Sequence, residues 1–141
     1  MTSSANVQNA VPFFMVTSIE ASLRYYVDGL GFTMKNTWIN EGKLEWCSLE
    51  IDAATIMLQE YRTEGRHSWR PEGKLGQGVS ICFVCKDAVA FYREVTARGI
   101  TAGRPFVGNG MWVTSLTDPD GYRIDFESYT DVPEETVLAD A

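Results

Sequence analysis

One order of predicted elements occurs twice in this chain, and this repetition constrains the fold more than any single motif. In each half, an apolar strand is followed by an amphipathic helix and then by three more strands. Tyr25-Tyr26 occupies the place of Phe91-Tyr92, and Leu58-Gln59-Glu60-Tyr61 lies near the place of Phe126-Glu127-Ser128-Tyr129. The offset of about 66 to 69 residues indicates an internal duplication of a βαβββ module.

The first module is predicted over residues 11–61. Thr17-Ser18-Ile19-Glu20 matches a capping box, in which a hydroxyl precedes a glutamate by three residues, and predicts the start of a helix. Gly29 and Gly31 are expected to end this helix. The predicted strands cover residues 11–16, 32–39, 44–51 and 55–61.

The second module is predicted over residues 79–129. Asp87 caps a helix that Gly99 ends. Pro105 suits an edge strand, because proline cannot donate to a sheet ladder. The predicted strands cover residues 79–85, 100–107 and 111–117, with a hairpin turn at Gly108-Asn109-Gly110.

The last strand follows a strong turn signal, Asp118-Pro119-Asp120-Gly121. Residues after the turn alternate as in a half-buried strand, with Ile124 and Phe126 on the side of the core. The opposite side carries Arg123, Asp125 and Glu127. A strand with one apolar and one charged face is typical of a strand that lines a pocket.

These modules predict one domain of the α+β class. Each has a small sheet with one helix, so the two are expected to share a core and form a cupped mixed sheet with the helices on its outer face. A ligand would then lie on the common concave surface. The expected organisation is a disordered N-terminus over residues 1–10, the domain over 11–129 with a connection over 62–78, and an acidic tail over 130–141 that either forms one helical turn or frays.

Composition excludes several classes of partner. A net charge of -7 disfavours nucleic acid and anionic membranes, which both need a basic face. Three cysteines argue against a disulfide framework and fit a reducing compartment. No signal-peptide pattern occurs in the first ten residues and no apolar run approaches the roughly 18 residues of a membrane span. We therefore expect a soluble, cytoplasmic protein.

Two motifs in duplicated order resemble those of the vicinal oxygen chelate superfamily. They are the helix end Tyr25-Tyr26-Val27-Asp28-Gly29-Leu30-Gly31-Phe32 and the turn at residues 118–121, and the resemblance covers about Val11 to Tyr129. The superfamily includes glyoxalase I, extradiol dioxygenases, fosfomycin-resistance enzymes and bleomycin-resistance proteins. The resemblance implies the fold and a homodimer, whereas one fold of this kind hosts many activities.

Metalloenzymes of that superfamily hold their metal on the first and last strands of each module. The resemblance carries these positions to Val11, Met57, Ser80 and Asp125. Only Asp125 is a good ligand for Zn, Ni, Fe or Mn, and the chain has a single histidine. The expectation is a metal-free member without a cofactor.

Strand alternation then predicts an apolar, methionine-containing pocket with polar groups at one side. Such a pocket suits a partly aromatic small molecule, with Asp125 or Glu127 orienting a donor or a cation. Trp38, Trp46 and Trp112 are candidates for its wall, and their facing stays open. The predicted pocket residues are Val11, Phe13, Met15, Met57, Gln59, Ser80, Cys82, Val84, Arg123, Asp125 and Glu127.

Two functions follow from these residues. The first is a binding protein that holds a hydrophobic or cationic small molecule without metal, as bleomycin-resistance proteins do by sequestration. The alternative is a lyase, isomerase or oxygenase in which Asp125 acts as acid or base, together with Gln59 or Glu127.

Three further residues have competing interpretations. Cys82 and Cys85 have C-x-x-C spacing, but an odd separation within a strand directs their thiols to opposite faces, and we interpret both as small buried hydrophobic residues. His67 is either a lid residue that titrates near neutral pH or a solvated loop residue.

Overall fold

The computed structural model describes residues 5–139 and contains the predicted βαβββ order twice. The first module consists of β1 (Phe13–Val16), α1 (Ile19–Leu23), a π-helical segment (Arg24–Gly29) that continues α1, β2 (Thr33–Asn40), β3 (Lys43–Ile51) and β4 (Ala54–Glu60). The second consists of β5 (Ser80–Val84), α2 (Ala88–Ala97), β6 (Phe106–Gly108), β7 (Met111–Thr117) and β8 (Arg123–Tyr129). The α+β class and the two modules are thereby confirmed. Within residues 5–139, no helix is long and apolar enough to cross a bilayer.

Each module forms its own four-stranded mixed sheet. The strand orders are β1-β4-β3-β2 and β5-β8-β7-β6, with parallel pairing between the first and last strand of each module. Phe13 lies beside Met57, and Cys82 lies beside Asp125. Because Leu58 aligns with Phe126 in the duplication, Met57 is equivalent to Asp125 and Phe13 to Cys82.

One hydrophobic core joins the two modules. Phe32, which follows the π-helical segment, makes edge-to-face ring contacts with Tyr26 and with Phe83 of the other module. Alternate strand residues point into the same core; they are Phe14, Val16, Ile56, Leu58, Phe83, Ile124 and Phe126. Since one core backs both sheets, the opposite faces of the sheets form a second surface, which we call the open face.

The inner edges of the sheets, β1 and β5, face each other. The ring of Tyr122 stacks on Phe14 with centroids 4.4 Å apart, and its hydroxyl donates to the Met15 carbonyl over 2.7 Å. At the opposite end, residues 9–12 and 81–84 line a common cavity. The start of β1 therefore lies near the end of β5, so the two edge strands run in opposite directions.

A buried carboxylate ties the turn before β8 to the first helical segment. The Tyr26 hydroxyl donates to Asp118 Oδ2 over 2.8 Å, while Oδ1 accepts from the N–H groups of Asp120 and Tyr122, each at 2.9 Å. Burial raises the pKa of Asp118, although these donors oppose the shift. Gly121 has φ 100°, so the predicted turn forms. Its first residue is also a contact between the modules.

The start of the chain differs from the predicted boundaries. Strand β1 begins at Phe13 rather than at Val11, because Pro12 has no N–H for a ladder. The helix cap is Ser18, whose hydroxyl accepts from the Ala21 N–H over 3.2 Å, and not Thr17. The Thr17 hydroxyl instead donates to Asp120 of the second module, over 2.5 Å.

The strand predicted over residues 100–107 is also shorter than expected. Only Phe106–Gly108 forms β6, since residues 100–105 carry no strand pairing apart from single hydrogen bonds such as that from the Gly103 N–H to the Ser115 carbonyl. The hairpin turn at Asn109-Gly110 forms as predicted, with both residues at positive φ.

The C-terminal residues pack along β6 instead of forming a helix or fraying. Hydrogen bonds on either side place Val137 opposite Phe106 in an antiparallel bridge. The Glu134 carboxylate accepts from the N–H groups of Asn109 and Gly110 at 2.7 and 2.8 Å. Residues 134–138, the C-terminal strap, therefore extend the second sheet. The predicted disordered N-terminus lies partly outside the described residues, and residues 5–12 form neither helix nor strand.

We expect Tyr26→Phe to lower the free energy of unfolding by roughly 1–3 kcal/mol, because the buried Asp118 carboxylate loses a donor and remains buried. Urea denaturation measures the change. Tyr92→Phe, at the equivalent position of α2, is the matched control and should change the free energy by less than about 0.5 kcal/mol. Equal effects of the two substitutions would contradict a stabilising role for the Tyr26–Asp118 hydrogen bond.

Candidate functional site

The open face of the first sheet carries a row of large side chains across its four strands. Its successive cross-strand neighbours are Trp38, Trp46, Gln59 and Met15. The next row contains Asn36, Ser48, Met57 and Phe13. The register thus brings four predicted pocket residues, Phe13, Met15, Met57 and Gln59, next to two tryptophans. Flat indole rings beside flexible methionines give adaptable apolar contact area.

The cross-strand partners of each tryptophan show on which face of its sheet it lies, a question that the sequence left open. Trp38 and Trp46 are cross-strand neighbours on the open face, and Trp38 is 48% exposed. Trp112 lies between the buried residues Val107 and Ser128, on the core side. Of the three tryptophans that the sequence offered as candidates for the pocket wall, the register places Trp38 and Trp46 on the open face and Trp112 on the core side.

The signal for this register was partly present in the sequence. Glu41-Gly42 forms a two-residue turn with φ 50° and 79°, which pairs Asn40 with Lys43. Continued alternation from this turn would pair Trp38 with Glu45. In the structure a β-bulge between Trp38 and Ile39 shifts the register by one residue, so Trp38 pairs with Trp46 instead. No residue pattern in the sequence predicts this bulge.

The open face of the second sheet is more polar. One row contains Ser80, Arg123 and Thr117, and the next contains Cys82, Asp125 and Ser115. A third row consists of apolar residues and one glutamate. Its members are Val84, Glu127, Val113 and Phe106, and the C-terminal strap adds Val137. The structure thus brings the predicted residues of the second module together as a group of their own.

Asp125 is held by a short chain of polar contacts. The Arg123 Nε lies 3.3 Å from Asp125 Oδ1, and Arg123 Nη2 donates to the Ser115 hydroxyl over 3.1 Å. Asp125 is 7% exposed, so its orientation is fixed by its surroundings. A fixed carboxylate on this face is suited to orienting a donor or balancing a cation.

Cys82 is exposed, so its interpretation as a buried hydrophobic residue is wrong. It lies on β5, the strand at the inner edge of the second sheet, which among the strands of residues 5–139 is hydrogen-bonded to β8 alone. Partial desolvation and the carboxylates of Glu127 and Asp125 raise the pKa of the Cys82 thiol to about 12. The thiol therefore stays protonated at neutral pH and is a weak nucleophile.

The positions that would hold a metal in related metalloenzymes have unsuitable donors. Val11 has no donor atom and lies outside β1, where it lines a cavity of about 370 Å³ with Cys82. Met57 offers a thioether, and Ser80 lies beside the Arg123 cation. Within residues 5–139, no three His, Cys, Asp or Glu side chains form a group that could hold a metal ion. The donor set at these positions does not fit Zn, Ni, Fe or Mn.

The connection between the modules, residues 62–78, is anchored to the first module by an ion pair and a ring contact. Arg62 forms an ion pair with Glu45, with 2.7 Å between Nη2 and Oε1, and Trp69 packs edge-to-face on Tyr61. His67 is exposed with φ 63° and lines neither the 370 Å³ cavity nor a larger cavity behind the sheets. A lid role for His67 stays a prediction.

Solved structures with this fold include proteins with different descriptions. An antibiotic binding protein from Streptomyces sp. CB03234, TnmS3, is 19% identical, with a TM-score of 0.66 over 89% of this chain and 100% of that chain. A glyoxalase/bleomycin resistance protein/dioxygenase from Nocardioides is 16% identical, with a TM-score of 0.65 over 96% and 93%. TioX from Micromonospora sp. ML1 is 14% identical, with a TM-score of 0.65 over 86% and 100%. At these identities the likeness shows the fold alone.

Sequence comparison gives a narrower result. No curated protein matches the chain significantly. Residues 10–126 match the family described as Glyoxalase/Bleomycin resistance protein/Dioxygenase superfamily, and this range covers the first module and the second as far as Phe126 in β8. The chain therefore belongs to the glyoxalase/bleomycin resistance protein/dioxygenase superfamily.

Proposed function

We propose that this protein binds a flat, partly aromatic small molecule on its open face, without a metal ion. The observation that carries the proposal is the Trp38–Trp46 pair in one row with Met15. Phe13, at 45% exposure, adds a further exposed ring on the neighbouring row. Exposed aromatic area of this extent is typical of a ligand-binding or interaction surface.

The charges of the open face favour a ligand with a cationic group. Asp125, Glu127 and Glu50 lie on this face, where Arg123 pairs with Asp125 and Lys35 lies 3.9 Å from Glu50, so the three carboxylates outnumber the two cations paired with them. The net charge of -7 adds a field that attracts cations to the protein. An aromatic ring system that carries an amine would match both the tryptophan row and the carboxylates.

The relatives support binding as the function. The solved structure of TnmS3 is described as that of an antibiotic binding protein, and the family description includes bleomycin resistance. Antibiotics with fused aromatic rings and amines combine the two properties that the open face selects. We therefore propose sequestration of such a compound.

In this proposal Asp125 orients the ligand instead of acting as the acid or base of an enzyme. Its ion pair with Arg123 and its near-complete burial hold the carboxylate as a fixed acceptor. Glu127 would assist from the apolar row next to it. We favour this role over the enzyme alternative, in which Asp125 acts as acid or base with Gln59 or Glu127, because the Arg123 ion pair already engages the Asp125 carboxylate.

Two further expectations belong to the proposal. We propose a homodimer, since a single copy leaves apolar side chains such as Ile39, at 60% exposure, in contact with solvent. We also propose a reducing, cytoplasmic location, which the free state of Cys47, Cys82 and Cys85 supports.

We expect Trp46→Ala to weaken the binding of 1-naphthylmethylamine by about tenfold or more, because one aromatic stacking partner is lost. Isothermal titration calorimetry in the presence of EDTA measures the affinity and tests the absence of a metal. Trp112→Ala is the matched control, since that ring lies on the core side. Unchanged affinity in Trp46→Ala, or loss of binding in EDTA, would contradict the proposal. Aromatic antibiotics are the next compounds to titrate.

We expect Asp125→Asn to weaken binding of the cation 1-naphthylmethylamine by about five- to tenfold while binding of its neutral analogue 1-naphthalenemethanol changes little. The difference isolates the charge, because asparagine keeps the shape of the side chain. Glu94→Gln on the exposed side of α2 is the control for net charge. Equal losses for both compounds would show that Asp125 does not recognise the cation.

A further inference from the structure

The two modules differ at one place on the core side of the sheets. In the first half, the Tyr122 ring covers Phe14 and its hydroxyl donates to the Met15 carbonyl. The alignment of the first strands makes Phe83 equivalent to Phe14, and that of the last strands makes Ala54 equivalent to Tyr122. The second half therefore has the supporting phenylalanine but only a methyl group in place of the covering phenol.

A cavity lies at the place where this ring is missing. Its volume is about 670 Å³, which is within the range of roughly 300–1,000 Å³ typical of ligand pockets. Ala54, Phe83 and Val84 are among its lining residues, with Phe91 and Phe126 as further rings. The wall is rigid, because the ring of Phe126 stacks on Phe83 at 4.9 Å and on Phe91 at 3.9 Å between centroids.

The mouth of the cavity is polar and its interior is apolar. Asp52 and Lys86 lie among the lining residues at the ends of the β3–β4 hairpin and of β5, and both are exposed. The turn between β3 and β4 consists only of Asp52-Ala53. The equivalent turn before β8 is longer and includes Asp118, which binds Tyr26, and Tyr122, which binds Met15. The short turn with two alanines explains why no side chain of the hairpin fills the space.

We propose that this cavity is a second binding site, which takes a phenolic small molecule. The phenol ring would stack on Phe83 next to Ala54, as Tyr122 stacks on Phe14. Its hydroxyl would donate to the carbonyl of Val84, which is the residue equivalent to Met15. The contact of Tyr122 with Phe14 and Met15 is thus an internal example of the phenol binding that we propose for the second half. This site lies on the core side of the sheets and meets the open face at Val84, away from the tryptophan row, and it does not depend on the function proposed for that face.

The test uses p-cresol, which is the tyrosine side chain as a free molecule. We expect it to shift the backbone amide signals of Ala54, Val84 and Cys85 in ¹H–¹⁵N NMR titrations of the full chain. Ala54→Tyr should supply the missing ring, weaken p-cresol binding by about tenfold or more and raise the thermal midpoint. Ala54→Leu, a smaller filling residue, gives a second reading if the tyrosine variant does not fold.

Trp46→Ala is the control that separates the two sites, because it alters the open face and leaves the cavity intact. Its p-cresol affinity should equal that of the natural chain. Shifts centred on Trp46 and Met57, or undiminished binding in both Ala54 variants, would overturn the proposal. Dissociation of a dimer by Ala54→Tyr in sedimentation would identify a second copy as the occupant and would overturn it as well. Binding of toluene as tight as that of p-cresol would contradict the role of the Val84 carbonyl.

Discussion

The buried hydrogen bond from Tyr26 to Asp118 fixes how the two modules meet. It lies beside the stacked rings of Phe14 and Tyr122, so the polar contact and the apolar packing act on the same interface. With this interface in place, one core serves both sheets and the helices stay on one side. The opposite faces are then left for binding, which is why a contact on the core side determines the geometry of the site.

The two modules share an order of elements but have diverged in chemistry. The first sheet contributes two tryptophans and methionines to the open face, and the second contributes Arg123, Asp125 and Glu127. One ligand that spans both sheets would meet an aromatic surface in one half and fixed charges in the other. Behind the sheets the copies also differ, since one has Ala54 beside a cavity where the other has Tyr122. Both proposed sites therefore arise from differences between the copies.

The sequence predicted the repeated order, the Asp118–Gly121 turn and the side of the core for Ile124 and Phe126, because these depend on local patterns of period two and on turn residues. It could not place the tryptophans. Their facing depends on a bulge in β2–β3, and a shift by one residue reverses a strand's faces.

Other features depend on contacts distant in sequence. Thr17 was expected to cap its own helix, yet its hydroxyl bonds Asp120 more than a hundred positions along the chain. The strap on β6 and the exposure of Cys82 likewise follow from which strand lies at an edge. Which strand lies at an edge depends on how the sheet assembles, so the alternation of residues along one strand cannot predict it.

The most direct test of the account is NMR of methionine methyl groups during titration with 1-naphthylmethylamine. Met15 and Met57 lie on the open face of the first sheet, whereas Met34, at 41% exposure, lies beside Leu49 on the core-side face. Ring currents of a ligand on the tryptophan row should shift the methyl signals of Met15 and Met57 and leave that of Met34 unchanged. Shifts at Met34 alone, or at none of the three when the ligand is bound, would contradict binding on the open face.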